Sequence, residues 1–391
     1  DVAIDDPGNE MMTKLMSLCL GEAVPPEYAP MMREEMGFVS RQVDWSDGKP
    51  DSMPILRPVV IVGAGASGIA LGANLVKLGI PFVILEKNSQ VGGTWHENIY
   101  PGCGVDTPNH AYSFSFGSRN SWSRYFAPRD EIQDYLIRSA DDAGVRSYIE
   151  FNTSVKKVDW DAENHCWCVT FDGPEGPGEL QAMSLVSAIG QLSLPSIPPI
   201  EGVKDFKGPI FHTANWPEGL KLDGQKVAII GTGASSMQIV PSIADRVASL
   251  HIYQRSAQWA RPIPKYHDPI PEASQWLLEK VPYYAAWFRF AMLWRYGDGL
   301  LPSLRKDPNW GQPDRSLNRS NERHRVQMTE HILKELAGRQ DLIDKCLPTY
   351  PPYGKRILLD NGWYAAIKKP NVELVTDDIR RITRNGVETV D

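Results

Sequence analysis

Two stretches of the chain share one order of apolar and polar positions. Pro58-Val-Val-Ile-Val62 is a short β-branched run that stops at Gly63-x-Gly65-x-x-Gly68, and Ile69-Ala-Leu-Gly-Ala-Asn-Leu-Val-Lys-Leu78 continues with apolar residues at helical intervals. A second continuous run, Pro81-Phe-Val-Ile-Leu85, ends in Glu86. Further along, Lys226-Val-Ala-Ile-Ile230 meets Gly231-x-Gly233-x-x-Ser236, then the helical pattern Met237-Gln-Ile-Val-Pro-Ser-Ile-Ala244 and the run Ser249-Leu-His-Ile-Tyr253. Each stretch predicts a buried strand, a tight turn, a helix and a second buried strand.

The turns carry chemistry because glycine lets the backbone approach a pyrophosphate, while the helix start behind it offers free N–H groups and partial positive charge. Gly63, Gly65 and Gly68 take that part in the first unit, and Glu86, 23 positions after Gly63, is placed to accept from ribose hydroxyls. In the second unit the turn is Gly231, Thr232, Gly233, Ser235 and Ser236, and the position 23 after Gly231 is Gln254, followed by Arg255 and Ser256. A carboxylate repels a ribose 2′-phosphate, whereas a guanidinium and a hydroxyl bind one with charge-assisted hydrogen bonds. The expected ligands are therefore FAD at the first turn and NADP at the second. Arg255 also has a plainer reading, as a solvated cation at a strand end.

Around these units the pattern changes. Before the first strand, Met12, Leu15, Met16 and Cys19 fall at helical intervals, which suggests an extension packed over the first domain or used as a contact between subunits of a homo-oligomer. Strands are predicted at Cys166–Phe171 and Leu185–Ile189, and Leu194-Pro-Ser-Ile-Pro-Pro199 reads as an exit linker. Tyr283-Tyr-Ala-Ala-Trp-Phe288 and His331-Ile-Leu-Lys-Glu-Leu336 are helical, and strand character returns at Val372-Glu-Leu-Val375. The expected organisation is an α/β fold of two dinucleotide-binding, Rossmann-like domains. It comprises a helical extension (1–53), the FAD-binding domain (54–199), the NADP-binding domain (200–265 and 347–391) and a helical insertion (266–346). No returning strand and glycine to close the first domain occur before Val390-Asp391, so that closing segment is expected outside this sequence.

Composition narrows the function class. At 391 residues, 42% hydrophobic and 23% charged, the chain has material for two or three domains, and a net charge of -7 argues against nucleic acid or an anionic membrane as partner. Cys19, Cys103, Cys166, Cys168 and Cys346 show no metal-binding spacing, and no Cys-x-x-Cys accompanies either turn, which counts against a disulfide reductase. Cys166 and Cys168 alternate on a strand, so their thiols are expected on one face as packing. The apolar stretch Val281–Trp294 is interrupted by Arg289 and too short to span a bilayer, and with no signal peptide the expected location is the cytoplasm.

Between the two units lie Gly92-Gly-Thr94-Trp95, Tyr100-Pro-Gly102 and Asp106, which suit a loop wrapping a flavin's pyrophosphate and ring, with Trp95 and Tyr112 as flat apolar contacts. Val155 is placed with the same cofactor. The linker Phe206-Lys-Gly208-Pro-Ile-Phe-His212-Thr-Ala-Asn-Trp216-Pro217 then closely resembles the fingerprint of type I Baeyer-Villiger monooxygenases. The segment Tyr100–Phe116 and the N-terminal extension look most like the 4-hydroxyacetophenone monooxygenase branch. One departure is Ile99, where that family more often carries arginine beside the Tyr-Pro-Gly turn.

The resemblance implies roles for residues that composition leaves mute. In Tyr353-Gly-Lys-Arg-Ile357, Arg356 is implied at the flavin face, Lys355 at the NADP phosphate, and Asp106 as the partner that holds Arg356. Read alone, a Lys-Arg pair is a solvated doublet, and a His and a Trp four apart are a core contact. In the family, His212 and Trp216 couple domain movement to the reaction. The implied activity is NADPH-dependent insertion of one oxygen atom of O2 beside a ketone carbonyl through a flavin peroxide. Aryl ketones are the expected substrates, with sulfides as a second class. The alternatives are a nitrogen- or sulfur-oxidising flavin monooxygenase, or an NADP-binding protein without turnover.

Overall fold

The computed structural model describes residues 4–40, 44–45, 57–117 and 121–390. The expected boundary between residues 53 and 54 lies outside the described residues. Two helices come first, α1 (Gly8–Leu20) and α2 (Ala29–Glu35). The first nucleotide unit follows as β1 (Val59–Val62), α3 (Ala66–Leu78), β2 (Phe82–Leu85), α4 (Thr94–Glu97), α5 (Arg129–Asp142) and β3 (Ile149–Glu150). A meander, β4 (Ser154–Asp161), β5 (Cys166–Gly173) and β6 (Gly176–Ala182), leads to β7 (Ser184–Ser187).

β3, β2, β1 and β7 form one parallel sheet in that order, with Val59 opposite both Phe82 and Ser184. Val60 and Ile61 are fully buried on opposite faces of β1, so no polar position interrupts the run. α3 starts three residues before the apolar periodicity does, because Gly65 in extended conformation serves as its N-cap and the turn itself is the first helical turn. It stops where Gly79, at φ 61°, returns its N–H to Leu75 and Val76.

The second unit repeats the arrangement with β8 (Lys226–Ile230), α6 (Ala234–Ile243) and β9 (Ser249–Tyr253). After β10 (Ala260–Pro262) come α7 (Glu272–Lys280), α8 (Tyr284–Tyr296), α9 (Leu301–Leu304), α10 (Arg319–Glu335) and α11 (Gln340–Cys346). The chain then returns through β11 (Leu358–Asp360), α12 (Trp363–Ile367) and β12 (Val372–Val375), and a hairpin of β13 (Ile379–Thr383) and β14 (Gly386–Thr389) follows. β12, β9 and β8 make a parallel sheet, and β11 pairs with β10.

The inserted helices divide between two cores. Met328, Ile332 and Leu336 of α10, with Leu342, Ile343 and Cys346 of α11, share the second unit's core with Ile239, Leu250 and Ile252. α8 instead packs on the N-terminal helices. Met12, Met16, Val24, Ala29 and Met32 close around Phe290, with Trp287 and Trp294 at their edge, and Glu35 pairs with Arg289 at 3.3 Å. The two N-terminal helices therefore pack on the helical insertion, while Trp45 of the extension reaches the first unit, donating through Nε1 to the Leu78 carbonyl at 2.8 Å. The helices' methionine stripe meets Trp287, Phe290 and Trp294 at helical intervals, which supplies an apolar face of matching length.

Candidate active-site cleft

The first glycine turn is closely built. Gly63 has φ 103°, and a Cβ there would sit 2.8 Å from the Ala188 carbonyl oxygen. A Cβ at Gly68 would fall 2.0 Å from the Gly63 oxygen, while one at Gly65 would meet the Cα and N of Gly93, at 3.6 and 3.9 Å. The Gly92-Gly93 loop is thus seated against the turn, and α4 starts from it with Thr94 at its first position. Glu86 is buried; its Oε2 accepts the Ala64 N–H at 2.6 Å and its Oε1 the Asn88 N–H at 2.8 Å. A carboxylate retains lone pairs for hydroxyls after two such bonds, so the expected ribose role is compatible with this second one of fixing the turn. Trp95 is buried in the first core and donates through Nε1 to the Tyr112 hydroxyl at 3.1 Å, the rings meeting edge to face. Val155, half-buried on β4, packs among Val60, Leu85 and Val169.

At the second turn Gly231 has φ 102°, and among the described residues no atom beyond the adjoining backbone lies within 4 Å of a Cβ built on Gly231 or Gly233. That open space in front of a helix start is the cradle a pyrophosphate requires. Ser236 stands where the first turn has Gly68, and its hydroxyl donates to the Gly231 carbonyl at 2.7 Å. Thr232 is buried behind the turn, and Ser235 is half-buried on the first turn of α6. Gln254 points inward, donating from Nε2 to the Lys345 carbonyl at 2.6 Å. Arg255 is exposed beside it, and Ser256 Oγ accepts from Lys355 Nζ. Arg255, Ser256 and Lys355 thus lie at one strand end, as an anionic 2′-phosphate would need.

The two units meet at the loop 100–106. Tyr100 touches both cores, and its hydroxyl donates to Gln238 Oε1 on α6 at 2.9 Å. Gln238 returns a bond to the Gly104 carbonyl at 2.7 Å, and Tyr266 donates to the Val105 carbonyl at 3.0 Å. Burial pushes the Tyr266 phenol up to about 12, so it stays a donor. At Gly102 a Cβ would lie 2.2 Å from Ser242 Oγ, so this close approach to α6 requires glycine. Asp106, at the end of the loop, accepts from Arg356 Nη2 at 2.7 Å. It lines a cavity with Ala234, Met237 and Gln238 of α6, with Tyr266, and with Leu358 and Leu359 of β11. The guanidinium expected from the resemblance is thus exposed and bonded to a carboxylate that lines the cavity between the paired units.

Other expected residues fall nearby in the linker. His212 Nδ1 accepts the Ala214 N–H at 3.1 Å and caps a short turn, while Trp216 stands edge-on to Phe211 at 5.2 Å and packs on the second core. Gln238, Tyr266 and Tyr353 carry the cleft yet carried no signal in the sequence, because their partners lie far away along the chain. Burial pushes the Cys103 thiol up to about 11, the reverse of an activated thiolate, and all five cysteines are free. Cys166 and Cys168 share a face of β5 with ligand atoms within 4.8 Å of Asp161, whose oxygens are engaged by Glu163 N, Asn164 N and Asn164 Nδ2 in the hairpin turn.

Comparison with known proteins agrees with this construction. A family profile described as "Pyridine nucleotide-disulphide oxidoreductase" matches residues 60–280, which cover β1 through α7 and hence both glycine turns. The chain belongs to this family. Across all 391 residues it is 42% identical to an uncharacterized monooxygenase y4iD of Sinorhizobium fredii, of which it covers 58%. It is 35% identical over 338 residues to a Baeyer-Villiger monooxygenase of Streptomyces coelicolor, covering 85% of this chain and 61% of that protein. Among solved structures, OTEMO in complex with FAD and NADP matches with a TM-score of 0.69 and 26% identity over 86% of this chain and 69% of that one. The chain thus spans about three fifths of the length of the curated relatives it matches. Its fold is the α/β architecture of two Rossmann-type nucleotide units expected from the sequence. Among the described residues, no helix is long and apolar enough to cross a membrane.

Proposed function

We propose that this chain is the nucleotide-binding part of a Baeyer-Villiger monooxygenase that takes FAD and NADPH and inserts one oxygen atom of O2 beside a ketone carbonyl. The observation that carries the reading is Arg356 held at 2.7 Å by Asp106, which lines a cavity shared by the first unit's loop and the second unit's helix α6. The balance is ketone, O2, NADPH and a proton going to ester, water and NADP+. Bound NADPH supplies the hydride, and bound FAD supplies the centre at which O2 is activated.

This chain's own groups bind, orient and hold charge. Gly63, Gly65 and Gly68 with the start of α3, and Glu86 at the end of β2, fit the FAD pyrophosphate and ribose. Gly231 and Gly233, with their open foreground, fit the NADP pyrophosphate, and Arg255, Ser256 and Lys355 its 2′-phosphate. A guanidinium stays charged at working pH and stabilises negative charge that develops on the carbonyl oxygen during attack. Asp106 fixes its direction without neutralising it, since Arg356 remains 63% exposed. The likeness of Tyr100–Phe116 to the 4-hydroxyacetophenone monooxygenase branch supports aryl ketones as substrates, with sulfides as a second class.

The test is spectroscopic and then chemical. The purified protein should be yellow, bleach on anaerobic NADPH, recover in air, and convert an aryl ketone to its ester. A protein that bleaches and oxidises only an amine or a sulfide would be the nitrogen- or sulfur-oxidising alternative. A colourless protein that binds NADPH without consuming it would remove the enzymatic reading.

A further inference from the structure

Lys355 and Arg356 are adjacent in sequence yet serve opposite sides of the cleft. Lys355 Nζ donates to Ser256 Oγ beside the second turn and sits 4.9 Å above the Tyr350 ring, whereas Arg356 reaches Asp106 of the first unit. Both side chains are exposed, so packing around them does not set their directions. The backbone that carries them must do so.

That backbone is fastened just upstream by one stripe of α10. Asn321, His324 and Arg325 stand at i, i+3 and i+4 and face residues 348–353. Asn321, fully buried, donates to the Pro352 carbonyl at 3.1 Å. Arg325 donates to the carbonyls of Tyr350 at 3.2 Å and Pro348 at 3.3 Å, and it lies over the Trp259 ring. Trp259 Nε1 donates to the same Tyr350 oxygen at 2.9 Å. These bonds fix carbonyls up to Pro352. Beyond it the Gly354 N–H closes the turn on the Pro351 carbonyl at 3.1 Å, and inside that turn the Tyr353 hydroxyl accepts from Arg261 Nη2 at 2.9 Å and bonds His324 Nδ1 at 2.9 Å.

Tyr353 also has φ 68°. A bulky residue enters that left-handed region only where its surroundings impose it. Glycine would take the same conformation without cost, but it has no hydroxyl with which to anchor it. We infer that Tyr353 is a positioning residue: its hydroxyl, held between Arg261 and His324, locks the left-handed turn that sends Lys355 to the second nucleotide turn and Arg356 to Asp106.

The inference rests on the proposed function for what the two cations do, and on geometry alone for how they are held. Two measurements separate these. Trypsin cleaves after Lys355 and Arg356, and its rate there reports the loop whether or not the protein turns over. Tyr353→Phe, and His324→Leu independently, should raise that rate about tenfold, as expected for losing one or two hydrogen bonds. His324→Gln, which keeps an acceptor, should restore most of the protection. In turnover, Tyr353→Phe should raise KM for NADPH about tenfold while KM for NADH, which lacks the 2′-phosphate, stays within twofold. Unchanged cleavage in both Tyr353→Phe and His324→Leu would overturn the inference. So would equal increases in both KM values with a lowered melting temperature, which would show general softening. A parent protein that never oxidises NADPH would remove the functional reading, and the cleavage rates would still decide the positioning role.

Discussion

At the scale of single residues, charge and hydrogen bonding decide what the cleft can do. The Arg356–Asp106 pair is exposed enough to contribute only about 0–1 kcal/mol to stability, so its place in the cleft is a matter of orientation. Arg356→Ala should leave bleaching by NADPH within a fewfold of the parent and lower ester formation by about 10²–10³, the loss typical of removing one preorganised donor. Arg356→Lys should rescue little, because a compact ammonium lacks the planar fork that reaches Asp106 and the cleft together. Stopped-flow absorbance and product analysis separate the two halves of the reaction, and loss of bleaching would place Arg356 in hydride transfer instead. Lys355→Ala should raise KM for NADPH and not for NADH, with the difference shrinking as salt is added. An equal effect on both nucleotides would take Lys355 away from the 2′-phosphate.

At the scale of elements, the two glycine turns look alike in sequence and differ in packing. Gly68 has backbone where its Cβ would go, 2.0 Å from the Gly63 oxygen, so Gly68→Ala must displace β1 from α3. The expected result is a loss of at least about 3 kcal/mol, or a protein that folds without yellow colour. Ser236, at the equivalent place, replaces that close approach with a hydrogen bond, and Ser236→Ala should cost only about 1 kcal/mol. Gly233→Ala should melt as the parent does and bind NADPH less well, because its Cβ enters the open space before the turn. Melting curves, the flavin-to-protein absorbance ratio and KM read these three outcomes.

The same elements show what the sequence made legible. Strands buried on both faces give unbroken apolar runs, and the glycine spacing marks the turns, so β1, α3, β2, β8, α6 and β9 were readable to within a few residues. Counting put Gln254 in register with Glu86 but could not show it turned inward to Lys345. The bonds Gln238–Gly104 and Tyr266–Val105 join residues 134 and 161 apart, and nothing local encodes such an approach. The methionine stripe of α1 announced an apolar face without naming α8 as what covers it.

At the scale of the molecule, two nucleotide cores are joined through Tyr100, and a third cluster unites the N-terminal helices with α8. His110 marks the contact between that third cluster and the first unit. It is 2% exposed, neither ring nitrogen has a hydrogen-bond partner among the described residues, and its ring meets Phe288 of α8 edge-on at 5.2 Å. Arg289, paired with Glu35, donates to its carbonyl. Burial, and then the nearby Arg289 charge, push the imidazole down from 6.5 to about 4. Above pH 6.5 the group is neutral in both folded and unfolded chains and contributes no pH dependence. As pH falls from 6.5 toward 4 the unfolded chain binds a proton that the folded chain refuses, so stability is lost across that window, reaching about 3 kcal/mol and levelling off below pH 4. His110→Phe keeps the ring volume and the edge contact while removing the titration. Its melting temperature should therefore fall less steeply than the parent's between pH 6.5 and 4, with the two curves parallel above pH 7. Parallel curves throughout would mean that the imidazole takes up its proton in the folded state, which requires a water or an acidic partner reaching it where α8 meets the first unit.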